Sequence, residues 1–174
     1  MNLGQTMLSA ATLVVLAVLV LNANRLIVQG EQDIVKGETF DIAVNYAQAL
    51  LTEISRKKFD AASKDSGYQA TSEFTSPYSL GPNSSELSQV NPWPDVAPFR
   101  SLFAYDDADD YHGYQRTINT DIVQGLKLWV EVYYVSNTNP NSKVYSKTYF
   151  KRVNVYAQHS SYLNTISFSA LITN

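Results

Sequence analysis

The chain has 174 residues, a formal net charge of −3, no cysteine, and 12 tyrosines beside a charged fraction of only 17%. That length holds one ordinary domain, or a smaller domain with one long additional element. Without cysteine there are no disulfides, thiolate metal sites or thiol nucleophiles, and the acidic balance gives nucleic acid no electrostatic foothold.

From Leu3 to Leu21 the chain carries no charge, and its first charged side chain is Arg25. Extended by Leu26, Ile27 and Val28, this run is long enough to cross a bilayer, since roughly 20 apolar residues at 1.5 Å each cover the ~30 Å hydrocarbon core. A cleaved secretory signal expects a basic start and a shorter apolar core. Neither is present, and the helical pattern runs on past any such cut. Farther along, Phe40, Ala43, Val44, Ala47, Leu50, Leu51 and Ile54 advance by threes and fours. They form one apolar stripe on a helix, with Asp41, Asn45, Gln48 and Glu53 at the other positions. No proline interrupts before Pro77, so the spacing predicts one helix over about 3–60. Gly30 and Gly37 are its weak points, each costing about 1 kcal/mol relative to Ala. They lie seven apart, hence nearly on one face. Beside the plain reading of tolerated glycines stands a functional one, in which the helix flexes there or admits a close neighbour.

Such a helix would be roughly 87 Å long at 1.5 Å per residue. A head of the remaining residues, with a ~13 Å radius of gyration, cannot cover it. The front half therefore needs lipid or other copies of itself. The expected division is residues 1–30 as an apolar helix for membrane or filament core, 31–64 as its amphipathic half, 65–113 as an irregular connector, and 114–174 as a sheet head.

The connector holds Pro77, Pro82, Pro92, Pro94 and Pro98 and reads as turns and irregular backbone. Loops of that length are rare in a compact domain, so it should be ordered against the head, with Tyr68, Phe74, Tyr78, Trp93 and Phe99 as anchors. Asn83-Ser84-Ser85 is a formal glycosylation sequon. From Tyr114 the period shifts to two. Tyr114, Arg116 and Ile118 begin one strand. Leu126, Leu128, Val130, Val132 and Tyr134 share a face of the next. Lys147 to Tyr156 and Ile166 to Ile172 complete an antiparallel meander of about four strands. Its apolar face needs a cover, and the stripe from Phe40 to Ile54 supplies one. The fold class is α+β.

Four acids, Asp106, Asp107, Asp109 and Asp110, fall within five positions and offer hard oxygens of the kind calcium takes, although the spacing is not that of an EF-hand. Solvated carboxylates in a surface turn are the plainer reading. His112 beside them is read as a backbone contact. There is no nucleophile elbow, no phosphate-cradling glycine loop and no helical His pair, so no catalytic residue is assigned and an enzyme is not expected. No other cofactor is implied. The tyrosines read as strand and interface residues.

An apolar N-terminal helix running into an amphipathic half that covers an antiparallel sheet resembles the type IV pilin and pseudopilin superfamily. Gly4-Gln5-Thr6-Met7-Leu8-Ser9 is similar to the region where a prepilin peptidase cuts before the apolar helix. The segment Tyr105-Asp106-Asp107-Ala108-Asp109-Asp110-Tyr111-His112-Gly113-Tyr114 resembles an acidic loop of pilin-like proteins. Tyr149 to Val155 and Ile166 to Ile172 are similar to their last strands. The resemblance implies a helical homopolymer at the cell surface, drawn from an inner-membrane pool by the pilus assembly machinery. Leu3, Gln5, Met7, Leu8, Leu13, Leu16, Val20 and Leu21 would lie in its core. It also implies methylation of the mature N-terminus, and it adds weight to calcium at the acidic loop.

Two departures stand out. The glutamate usual at the fifth mature position is Gln5 if Met1 is the mature start, or Ser9 if cleavage follows Gly4. Neither ionises, so only hydrogen bonding to a neighbouring amine remains. Met1-Asn2-Leu3-Gly4 also lacks the usual basic leader. Two alternatives stay open, a low-copy pseudopilin of a secretion system and a membrane-anchored periplasmic binding domain that never polymerises.

Overall fold

The computed structural model describes residues 2–63, 69–84, 86, 99–161 and 164–174. Its longest element, α1, runs Leu3–Ser55. The chain divides into two compact units between Glu38 and Thr39, eight residues later than the expected end of the apolar part. The first unit is helix alone, and every described side chain in it is exposed.

The second unit is α+β. Strands β1 (Gln115–Ile118), β2 (Leu126–Tyr134), β3 (Phe150–Gln158) and β4 (Ile166–Thr173) form a four-stranded antiparallel sheet in chain order. The register is set by alternation: Val130 faces Val155, and Val132 faces Val153, on the inner side. Leu126, Leu128, Val130, Val132 and Tyr134 are all buried, as expected. Ala43, Ala47, Leu50 and Ile54 of α1 close over this face in one apolar cluster. Each fully buried Val, Leu or Ile contributes about 1.5–3 kcal/mol, so this contact is the main stabiliser of the head. Phe40, expected in the stripe, is instead 47% exposed, and Thr39 is buried in its place. The buried line of α1 runs Thr39, Ala43, Ala47, Leu50 and Ile54, at helical spacing.

The helix stops at Ser55, not near Asp60. Arg56 and Lys57 donate backbone bonds three residues back, to Glu53 and Ile54, which tightens the last turn. Beyond it, Lys58 bridges to Asp107 and accepts from the Ala108 N–H. Tertiary pairing thus takes over the backbone before the helical pattern of the sequence has ended. Strand β3 likewise begins at Phe150 rather than Lys147. Lys147 and Tyr149 reach Ser72 O and Gln69 O in the connector.

The connector belongs to the head. Phe74 is buried with Phe59 and Tyr134, and Phe99 packs against the main core. Tyr78 is not an anchor: it is 79% exposed and stacks on Tyr145. Tyr68 and Trp93 lie outside the described residues. Asn83, from the sequon, has a local task. Its N–H donates to Glu86 Oε2, and the Glu86 N–H donates to Asn83 Oδ1. This is a capping box, opening a helix in which Ser84 and Glu86 lie.

Candidate functional site

From Leu3 to Leu21 the front unit offers an uncharged helical surface. Leu3, Met7, Leu8, Leu13, Leu16, Val20 and Leu21 are between 52% and 80% exposed, and Gln5 and Gly4 lie on the same helix, also exposed. The helix is long and apolar enough to cross a membrane, and a signal sequence passes the same test. The hydroxyl groups near its start are satisfied locally. Thr6 Oγ1 donates to Leu3 O, Ser9 Oγ to Gln5 O, and Thr12 Oγ1 to Leu8 O. Hydroxyls folded back in this way leave no unpaired donor to penalise an apolar surrounding. A Cβ added at Gly4, Gly30 or Gly37 would meet nothing within 4 Å. The isolated chain therefore imposes no steric need for glycine at these positions. Met1 lies outside the described residues.

The acidic segment is not a solvated surface turn. Asp107, Asp109 and Asp110 are buried, with Ala108 and Tyr111 around them. The four acids do not converge as one ligand set. Asp107 Oδ1 accepts from the N–H groups of Asp109 and Asp110, and Asp110 Oδ2 accepts from those of Asp106 and Asp107. These bonds wind the segment into the turn Asp109–Tyr111, which Gly113 closes with φ of 78°. Asp109 faces the other way, toward Lys151. Acidic oxygens do meet at Glu86, Asp106 and Asp110, within 4.8 Å of one another. Glu86 joins from the connector, and Asp107 and Asp109 drop out.

Burial first, and then the neighbouring Asp109, push the Asp107 acid up to about 9. Burial, with Glu86 adding repulsion, raises Asp110 to about 7. His112 is a structural contact, as read. Its Nδ1 accepts the Val132 N–H at 3.1 Å, and burial followed by Lys143 lowers its basicity. His159 bonds Ser161 within its own turn and the Gln124 carbonyl thirty-five residues away.

The residue that sequence reasoning missed is Lys151. It is wholly buried on β3, in phase with the inward Val153, Val155 and Ala157. Its Nζ lies 2.6 Å from Asp109 Oδ1, 2.9 Å from Asp60 Oδ2 and 2.7 Å from Phe59 O. The rings of Phe59 and Tyr134 flank it at 4.4 and 5.1 Å. A lysine at an inward strand position was the available signal.

Asp60 is densely held. Besides Lys151, it accepts from the N–H groups of Ala62 and Thr75 and from the hydroxyls of Thr75 and Tyr134. Burial works against its charge, but Lys151 and these N–H groups outweigh it and keep its acid below the ordinary value.

A second polar knot ties α1 to the same region. Glu53, expected on the solvent side of the helix, accepts from Tyr111 OH at 2.6 Å and Ser101 Oγ at 3.0 Å. Arg116 Nη1 lies 3.7 Å from Glu53 Oε2, and its guanidinium stacks 3.9 Å over the Phe99 ring.

Comparison with protein-family models, with curated proteins and with solved structures finds no significant match.

Proposed function

We propose that the chain is a structural subunit of an extracellular type IV pilus-like filament, assembled through its front helix. The observation that carries this reading is the helix's uncharged, exposed surface from Leu3 to Leu21, with its hydroxyls already donating to carbonyls one turn back. Such a surface is equally at ease in lipid and among copies of itself, so passage from bilayer to filament core costs little. Selectivity then rests on shape packing and on contacts between heads. A head-to-tail contact repeated by rotation and rise leaves an open filament. With Gln5 or Ser9 where pilins have a carboxylate, the core is held without a buried ion pair.

Electron microscopy of sheared surface fractions tests the proposal, and thin fibres containing this chain are expected. Recovery of the chain only from detergent-soluble membrane would overturn it in favour of a membrane-anchored domain. The mass of the mature N-terminus decides between Met1 and the residue after Gly4 as its start.

A further inference from the structure

Lys151 occupies a setting that does more than hold the head together. Its ammonium sits between two carboxylates in a dry, ring-lined site; the side chains of Lys151, Asp60 and Asp109 are 0%, 1% and 3% exposed. One positive charge thus answers two negative ones, and Asp107 and Asp110 add further acid a few residues away. Buried ions are tolerated only when paired and hydrogen-bonded. Asp60 meets that condition without Lys151, through two backbone N–H groups and two hydroxyls. Asp109 Oδ1 relies on Lys151 at 2.6 Å. Removing the charges of Lys151 and Asp109 together would leave the one carboxylate that its surroundings already satisfy.

We infer that Lys151 and Asp109 condense spontaneously into an intramolecular amide, linking β3 to the acidic segment, with Asp60 as the proton carrier. In this reaction Asp60 takes one proton from the Lys151 ammonium, freeing the lone pair on Nζ. Nζ attacks Cγ of Asp109, forming the C–N bond. The tetrahedral centre collapses as one Cγ–O bond breaks. The departing oxygen collects two protons, the one held by Asp60 and a second from the nitrogen, and leaves as water. Two N–H bonds and one C–O bond are broken, and Asp60 is regenerated as a carboxylate. No oxidant, metal or co-substrate enters.

Two physical features favour the step. Held partners react as though at effective molarities of roughly 10⁵–10⁸ M, and a site closed by Phe59 and Tyr134 has little water to reverse the reaction. Asp109 is the acceptor because Nζ stands nearer to it than to Asp60, 2.6 Å against 2.9 Å, and because Asp60 is pinned by four other donors that keep it from turning Cγ toward the amine. The inference is independent of filament assembly, since all three residues belong to one chain.

The test is the intact mass of the full chain, purified folded in detergent. The expected result is a mass one water below that calculated for the chain from its own mature N-terminus, with fragmentation after proteolysis joining the Lys151 peptide to the Asp109 peptide. Lys151→Arg, which keeps the charge but not the nucleophile, is expected at its full mass. Asp60→Asn should slow the loss of water roughly a hundredfold or more, as for removal of a general base. A folded wild-type chain at full mass overturns the inference, and so does a link from Lys151 to Asp60. Unslowed linkage in Asp60→Asn overturns the role given to that residue.

Discussion

The Tyr111 hydroxyl donates to Glu53 Oε1 across 2.6 Å, joining the last turn of α1 to the acidic segment. Ser101 Oγ donates to the same oxygen, and Tyr114 OH donates to Ser101 Oγ. Three rings, Tyr105, Tyr111 and Tyr114, stack edge to face around this point. Tyr111→Phe keeps the ring packing and removes one donor to a carboxylate. The expected loss is about 1.5–3 kcal/mol, the usual range for a hydrogen bond to a charged group. Urea unfolding of the full chain in detergent measures it, and an unchanged midpoint would show the bond to be dispensable.

Burial raises Asp107 to about 9 and Asp110 to about 7, from an ordinary 3.8. The folded head therefore holds protons that the unfolded chain releases. Stability from these two groups is complete below the ordinary value and is lost as pH rises through about 7 and then about 9. Asp60, held low, acts in the opposite sense. Its contribution is present above the ordinary value and is lost as pH falls through its depressed pKa. Thermal melting is expected to show a midpoint that declines from mildly acidic to alkaline pH. Asp110→Asn should flatten the first part of that decline.

Leu50 and Phe40 separate the packing of the head from whatever lies outside it. Leu50 is fully buried beneath the sheet, whereas Phe40 is half exposed. Leu50→Ala should cost about 2–5 kcal/mol, as for other large-to-small changes in a core. Phe40→Ala should fall within about 0.5 kcal/mol of the unaltered chain, as surface changes do. Equal effects in urea titration would place Phe40 in the core after all.

Leu13→Asp with Leu16→Asp puts two charges in the uncharged run. Each costs about 2.5–3.5 kcal/mol near the centre of a bilayer. Membrane insertion and fibre formation should both fail, while far-ultraviolet circular dichroism retains the sheet signal. Fibres from this variant would remove the front helix from the filament core.

Much of this architecture can be read in the residues because its periods are local. The alternation from Leu126 to Tyr134 predicts its buried face without knowledge of the partner, and the same holds for Ala43, Ala47, Leu50 and Ile54. What local periods cannot report is a contact made across the chain. Asp109 reads as a solvated turn carboxylate because its partner lies forty-two residues away. Glu53 sits at a polar helical position, and its burial depends on Tyr111, fifty-eight residues on. Lys151 was legible in part. It keeps step with Val153 and Val155, but with Arg152 beside it in the chain it is easily taken for one of a pair of exposed cations. The end of α1 at Ser55 falls short of its predicted end near Asp60 for a related reason, since Lys58 pairs with Asp107.

The meeting of Asp60, Asp109 and Lys151 has a consequence for the order of events at the ribosome. Asp60 and Lys151 are ninety-one residues apart, and the inner face of the sheet is incomplete until β3 is made. The apolar helix, by contrast, is made before the strands and forms its backbone hydrogen bonds within itself. Contacts so distant in sequence close slowly. In the proposed filament subunit the apolar segment is therefore available to lipid while the head is still an unfolded chain, and the head folds already tethered.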